Sequence, residues 1–148
     1  MRSTHACGAG FNPIEMAERR TARSGTPWES QVGYARAVRI GNHIFVSGTT
    51  ASDEQGQLAG GEDAEAQASY ILRKIERALL DLDATLADVV RTRIYVSRID
   101  DWPAVGRAHR AAFAAVEPAC TLVQVVGLVG GRLVEIEADA FVSSTASS

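Results

Sequence analysis

The segment Leu133-Val134-Glu135-Ile136-Glu137-Ala138-Asp139-Ala140-Phe141-Val142 constrains the fold of this chain more than any other stretch. It alternates without interruption. Val134, Ile136, Ala138, Ala140 and Val142 leave one face of a strand, and Glu135, Glu137 and Asp139 leave the other, because successive strand side chains point to opposite sides. One face must therefore meet an apolar layer. The other carries a row of carboxylates, which is costly unless they are solvated, paired with cations or used. Upstream, Pro118 to Leu128 is a second β-rich run, and Gly130-Gly131 between the two can supply the positive φ of a reversal. These features predict a β-hairpin at the C-terminal end of the chain.

The preceding chain supplies the remaining layers. Tyr34 to Ile40, Gly41-Asn42 and His43 to Gly48 read as two strands joined by a tight turn. From Glu62 to about Asp83, apolar residues recur at helical spacing (Ala68, Ile71, Leu72, Ile75, Leu79, Leu82), leaving Arg73, Lys74 and Glu76 toward water. Val89 to Ser97 alternates again, with Val90, Ile94 and Val96 on one face and Arg91, Arg93 and Tyr95 on the other. Its arginines are natural partners for the acidic row if the two strands lie together. Asp100-Asp101-Trp102-Pro103 opens a second helix, whose apolar side is read as Trp102, Val105, Ala108, Ala112, Phe113 and Val116, ending before Pro118. The resulting order, ββαβαββ, predicts an α+β fold with one sheet against two helices. The second sheet face carries Phe45 and Phe141 among its charges, so a subunit interface is expected there. Residues 1–30 read as an irregular arm with a short helical turn near Ile14 to Arg20, residues 31–142 as the domain and residues 143–148 as a flexible tail. Trp28, beside Pro27, is more often core cover than ligand wall.

At 148 residues and 46% hydrophobic composition the chain suits one domain. Its formal net charge of −3 disfavours nucleic acid as a partner. No apolar run is long enough for a signal sequence or a membrane span, so no membrane association is expected and the cytoplasm is the expected location. Cys7 and Cys120 do not make a disulfide framework, and no paired-cysteine motif suggests a metal.

Gly33-Tyr34, Gly41-Asn42, Ser47-Gly48, the strand–helix unit through Phe113, Pro118-Ala119 and Val134-Glu135-Ile136-Glu137-Ala138 occur in an order and spacing that resembles the RidA/YjgF family of reactive-intermediate deaminases. The resemblance runs from about Val32 to Val142. It implies a chorismate-mutase-like fold with a mixed sheet, assembled as a homotrimer with clefts between adjacent subunits. It further implies hydrolysis of amino-acid-derived enamines and imines to 2-keto acids and ammonia, with small molecules as ligands and neither metal nor organic cofactor. In the family an arginine grips the substrate carboxylate through a fork that matches its geometry, and a glutamate on the last strand positions or activates water.

By this resemblance Glu135 falls on the catalytic glutamate, Tyr34 and Ser47 fall on cleft-lining positions, and Gly48 lies beside Ser47. The signature arginine is Cys120 here, a common asparagine of the second helix is Gly106, and a bulky aromatic one turn later is His109. A thiol cannot reproduce the charge or the fork of a guanidinium. The expected substrate is therefore an imine, an enamine or a related C–N compound unlike the usual small 2-imino acids; the alternatives are a non-catalytic ligand-binding trimer and, least favoured, a ribonuclease. Glu135 is either the acid/base group or a paired carboxylate. Cys120 is a nucleophile, a pocket wall or a small buried hydrophobe, the last two outweighing the first. Tyr34 and Ser47 either orient substrate or bond within an interface. Arg91 and Arg93 are read as ion-pair partners rather than as a substitute clamp.

Overall fold

The computed structural model describes residues 17–143. Nine main elements follow one another: β1 (Arg19–Ala22), α1 (Pro27–Val32), β2 (Ala37–Ile40), β3 (His43–Thr50), α2 (Ala64–Leu80), β4 (Val89–Val96), α3 (Trp102–Phe113), β5 (Ala119–Gln124) and β6 (Val134–Phe141). The strands form one sheet in the order β1-β2-β3-β6-β4-β5, antiparallel throughout except for the parallel pair β4–β5. This is the expected mixed sheet, with α2 and α3 packed together and contributing to a common core with it.

The C-terminal hairpin does not form. β5 pairs with β4, to which α3 gives the crossover that a parallel pair requires, and β6 inserts between β3 and β4. The alternation of β6 explains the outcome. Val134, Ile136, Ala138 and Ala140 are all buried, so they need sheet neighbours on both sides and helices above. β5 is exposed along most of its length and takes the sheet edge instead. The central position of β6 also sets Glu137 opposite Arg93, as the charge pattern anticipated.

Three local expectations change. Residues 19–22, read as part of an irregular arm, form β1 along the edge of β2, and the part of the expected helical turn before residue 17 lies outside the described residues. The β4–β6 ladder shifts register between Val89 and Arg91, so Val89 rather than Val90 enters the core. Trp102, read as apolar-face, is 58% exposed.

Of the three helices α2 opens on a side-chain cap, whereas Thr26 before α1 and Asp101 before α3 make no side-chain cap hydrogen bond. The Asp63 side chain accepts from the backbone N–H groups of Glu65 and Ala66 to open α2. From α2, buried Gln67 accepts the Leu133 N–H at 3.0 Å and donates to the Gly61 carbonyl at 2.6 Å, fixing the entry to β6. Between the layers, Ile71, Ile75 and Leu79 of α2 meet Phe113 and Val105 of α3 and the inward residues of β6. Phe113 is among the largest fully buried side chains, so Phe113→Ala is expected to cost about 3–5 kcal/mol in denaturant unfolding.

Candidate functional site

The acidic row divides into two environments. Arg93 Nη1 lies 3.1 Å from Asp139 and 3.4 Å from Glu137, and the Tyr95 hydroxyl donates to Glu137 at 3.1 Å. These groups answer one another across β4 and β6. Glu135 is different: it stands between Thr50 and Tyr95 in the ladder, and its carboxylate takes part in no ion pair or hydrogen bond among the described residues. Burial pushes its pKa above the ordinary value of 4.5, the Arg36 charge pulls it down, and Glu137 pushes it up again.

Room for this carboxylate is made by β3. Its pairing with β6 shifts between Val46 and Thr49, which takes Ser47 and Gly48 out of the regular ladder. A Cβ built on Gly48 collides with Glu135 Oε1, so the absence of a side chain there is what lets the carboxylate lie against the bulge. Ser47 Oγ donates to the Ala35 carbonyl at 2.8 Å, so its hydroxyl is already committed to holding the preceding segment.

That segment brings Tyr34 and Arg36 to the same place. Arg36, only 4% exposed, donates through Nη2 to the Gly48 carbonyl at 2.9 Å, and its guanidinium carbon lies 5.3 Å from the centre of the Tyr34 ring. A cavity of about 180 Å³ is lined by Tyr34, Arg36 and Gly48 together with Trp28, Lys74 and Val129. Lys74 reaches in from α2 with Nζ 2.7 Å from the Ser52 carbonyl, and burial, with Arg36 second, lowers its pKa to about 8.

The other predicted residues lie elsewhere on the chain. Gly106 and His109 are one turn apart on α3, and nothing stands within 4 Å of where a Gly106 side chain would begin. His109 Nε2 is 2.9 Å from Thr92 Oγ1 and its ring packs on Phe113; burial lowers its pKa. It borders an open cleft with Pro118, close in sequence to the exposed Cys120. Cys120 registers with Thr92, and Thr92 with Ala138, on the helix-covered side of the sheet, whereas Glu135 leaves the opposite side. Within one chain, therefore, Tyr34, Ser47, Gly48 and Glu135 form one group and Gly106, His109 and Cys120 another. Cys120 and Glu135 thus leave opposite faces of the sheet of a single chain.

The two charged residues of the cavity escaped the sequence reading. Arg36 sits two positions after Tyr34, a spacing that places both on one side of an extended segment. Lys74 is the single lysine among 15 basic residues, but its helical position placed it toward water. Among the described residues, no cluster of three or more His, Cys, Asp or Glu is arranged to hold a metal ion. No helix among them is long and apolar enough to cross a membrane.

Residues 26–142 match the family described as Endoribonuclease L-PSP. A solved structure from Mycobacterium tuberculosis, Rv2704 of the YjgF/YER057c/UK114 family, superposes with a TM-score of 0.77 at 50% identity, covering 84% of this chain and 100% of that one. An uncharacterized protein of Streptomyces coelicolor is 37% identical over 82% of this chain and 91% of its own length. The human 2-iminobutanoate/2-iminopropanoate deaminase is 32% identical over 71% of this chain and 77% of its own length. Fold, family match and relatives agree, and the chain belongs to the RidA/YjgF family.

Proposed function

We propose that the protein hydrolyses an imine or enamine of a small metabolite to the carbonyl compound and ammonia, with Glu135 handling the protons of the attacking water. The observation that carries this reading is the unpaired, partly buried Glu135 carboxyl held against Gly48 beside a cavity. Its raised pKa brings it closer to the range in which a carboxyl group both accepts and returns a proton. In the reaction, water adds to the imine carbon while Glu135 takes one of its protons. Glu135 returns that proton to the nitrogen, giving the neutral carbinolamine; it then takes the hydroxyl proton and passes it to the same nitrogen as the C–N bond breaks, so that ammonia leaves and the carbonyl forms.

The working unit in this proposal is the homotrimer typical of the family. Gly106, His109 and Cys120 of one subunit face Tyr34, Gly48 and Glu135 of the next, which would reunite the two groups that a single chain keeps apart. Exposed Phe45, Phe141, Val90 and Val123 on the sheet give an assembly apolar surface to bury. With Cys120 in place of a guanidinium and Gly106 in place of a longer side chain, the cleft favours substrates larger than 2-iminopropanoate.

The test generates imines in situ from alanine, leucine and phenylalanine with an amino-acid oxidase and follows their decay, with mass in solution measured in parallel. Acceleration is expected to be greatest for the bulky imines, and Cys120→Arg is expected to move the preference toward the small one. A trimer that accelerates none of them, before or after Cys120→Arg, would favour the non-catalytic binding reading. A net charge of −3 leaves ribonuclease action the least supported alternative.

A further inference from the structure

The cavity beside Glu135 is lined by two cations, Arg36 and Lys74, neither of which makes an ion pair among the described residues. Arg36 is permanently charged and almost wholly buried, yet it makes no ion pair among the described residues, and its Nε has no hydrogen-bond partner. Its contacts are one carbonyl and one aromatic ring. A buried cation in such surroundings is costly unless an anion answers it. Lys74 brings a second cation to the same walls, since both side chains line this cavity and an adjoining one of about 250 Å³.

The neighbouring carboxylates Glu29 and Asp53 act on Lys74 through their charge and raise its pKa against the effect of burial, but their oxygens are hydrogen-bonded to other donors. Glu29 accepts from Ser24 N–H at 3.0 Å and from its hydroxyl at 2.6 Å, and Asp53 accepts from the N–H groups of Gln55 and Gln57 at 3.0 and 2.8 Å. Glu135 lies against Gly48 with its pKa raised. The rest of the wall sets Trp28, Val32, Tyr34 and Val129 beside the hydroxyl residues Thr26, Thr50 and Ser52. At about 180 Å³ the space exceeds the roughly 150 Å³ that admits a benzene ring.

We infer that this cavity is a carboxylate site, in which Arg36 and Lys74 hold the anion and Trp28 and Tyr34 pack against an aromatic or branched apolar body. The positive charge missing at Cys120 is thus supplied from a different part of the fold. This deepens the proposed reaction, and it rests on that reaction only for the orientation of the reacting carbon toward Glu135; the anion site itself does not depend on turnover.

The probes are phenylacetate, its neutral isostere phenylacetamide, and phenylpyruvate. Because Lys74 is the chain's sole lysine, an amine-reactive sulfonate reports on it directly once peptide mapping has separated it from the N-terminal amine. Phenylacetate and phenylpyruvate are expected to slow labelling of Lys74 in the native protein, and phenylacetamide is expected to bind at least about 10-fold more weakly, the scale of one charge-assisted hydrogen bond. Arg36→Lys, which keeps the charge but not the fork, is expected to weaken phenylacetate by about 10-fold with an unchanged circular dichroism spectrum, and Glu135→Gln is expected to retain binding. Equal affinity for acid and amide, or carboxylate binding without protection of Lys74 in the native protein, would overturn the inference. Arg36-dependent carboxylate binding without hydrolysis defeats only the proposed reaction; hydrolysis with a KM indifferent to Arg36→Lys defeats only the carboxylate site.

Discussion

Glu135→Gln is expected to lower kcat/KM for imine hydrolysis by about 10²–10⁴-fold, the range that a positioned acid/base group contributes. Glutamine keeps the shape of the side chain against Gly48 but can neither take nor return a proton, so the loss should fall on kcat with little change in KM. The same substitution carries an opposite effect on stability. Burial holds the Glu135 pKa above the ordinary 4.5, with Glu137 adding to the shift and Arg36 opposing it. Well below pH 4.5 the group is protonated in both folded and unfolded chains, and its contribution to stability is complete. As pH rises through the folded pKa, the unfolded chain is already ionised while the folded one must ionise in a partly desolvated place, and that contribution is lost. Wild type is therefore expected to be less stable than Glu135→Gln at neutral pH, and the difference should vanish well below pH 4.5 in paired denaturant titrations. In the pH–rate profile, the acidic limb of the wild type should rise with the ionisation of Glu135 and be absent from the residual rate of the variant. Activity within about twofold of wild type would remove Glu135 from the chemistry.

The alternation of β6 announced both its buried face and its acidic face because strand parity is a local property that tertiary structure rarely overrides. Pairing is not local. The Gly130-Gly131 reversal suggested that β5 and β6 were neighbours, but the burial demand of four consecutive inward residues sends β6 to the centre of the sheet and leaves β5 on the edge. The exposed Val90 has a related origin: a one-residue irregularity in β4 exchanges it with Val89, and alternation alone cannot reveal where a ladder slips. At the site, the family resemblance singled out Glu135 among the three carboxylates, and the contacts of Arg93 and Tyr95 show what occupies Glu137 and Asp139. Arg36 was hidden for a further reason. An arginine between two alanines before a strand has the sequence appearance of a solvated residue, and its burial depends on the bulge of β3 and on Tyr34 meeting it from the side.

Gly48→Ala tests whether that bulge serves the carboxylate. The atom in the way of a new Cβ is Glu135 Oε1, the far end of a flexible side chain rather than backbone, and Gly48 is not among the glycines with positive φ. The fold therefore accommodates the methyl group by moving the carboxylate, and the unfolding midpoint should change little. Activity should change much more. A displacement of about 1 Å at a reacting group is enough to cost on the order of 10²-fold, because the near-attack geometry is lost before any binding contact is. Gly48→Ala is accordingly expected to reduce kcat by about 10²-fold while leaving the affinity for phenylacetate within a fewfold of wild type. The double variant Gly48→Ala/Glu135→Gln sharpens the test, since two substitutions that disable one group do not add. If the glycine acts through the carboxylate, adding Gly48→Ala to Glu135→Gln costs almost nothing further. If instead the two losses multiply, the methyl group is obstructing substrate in the cavity itself, and the close approach of Gly48 and Glu135 has no part in catalysis.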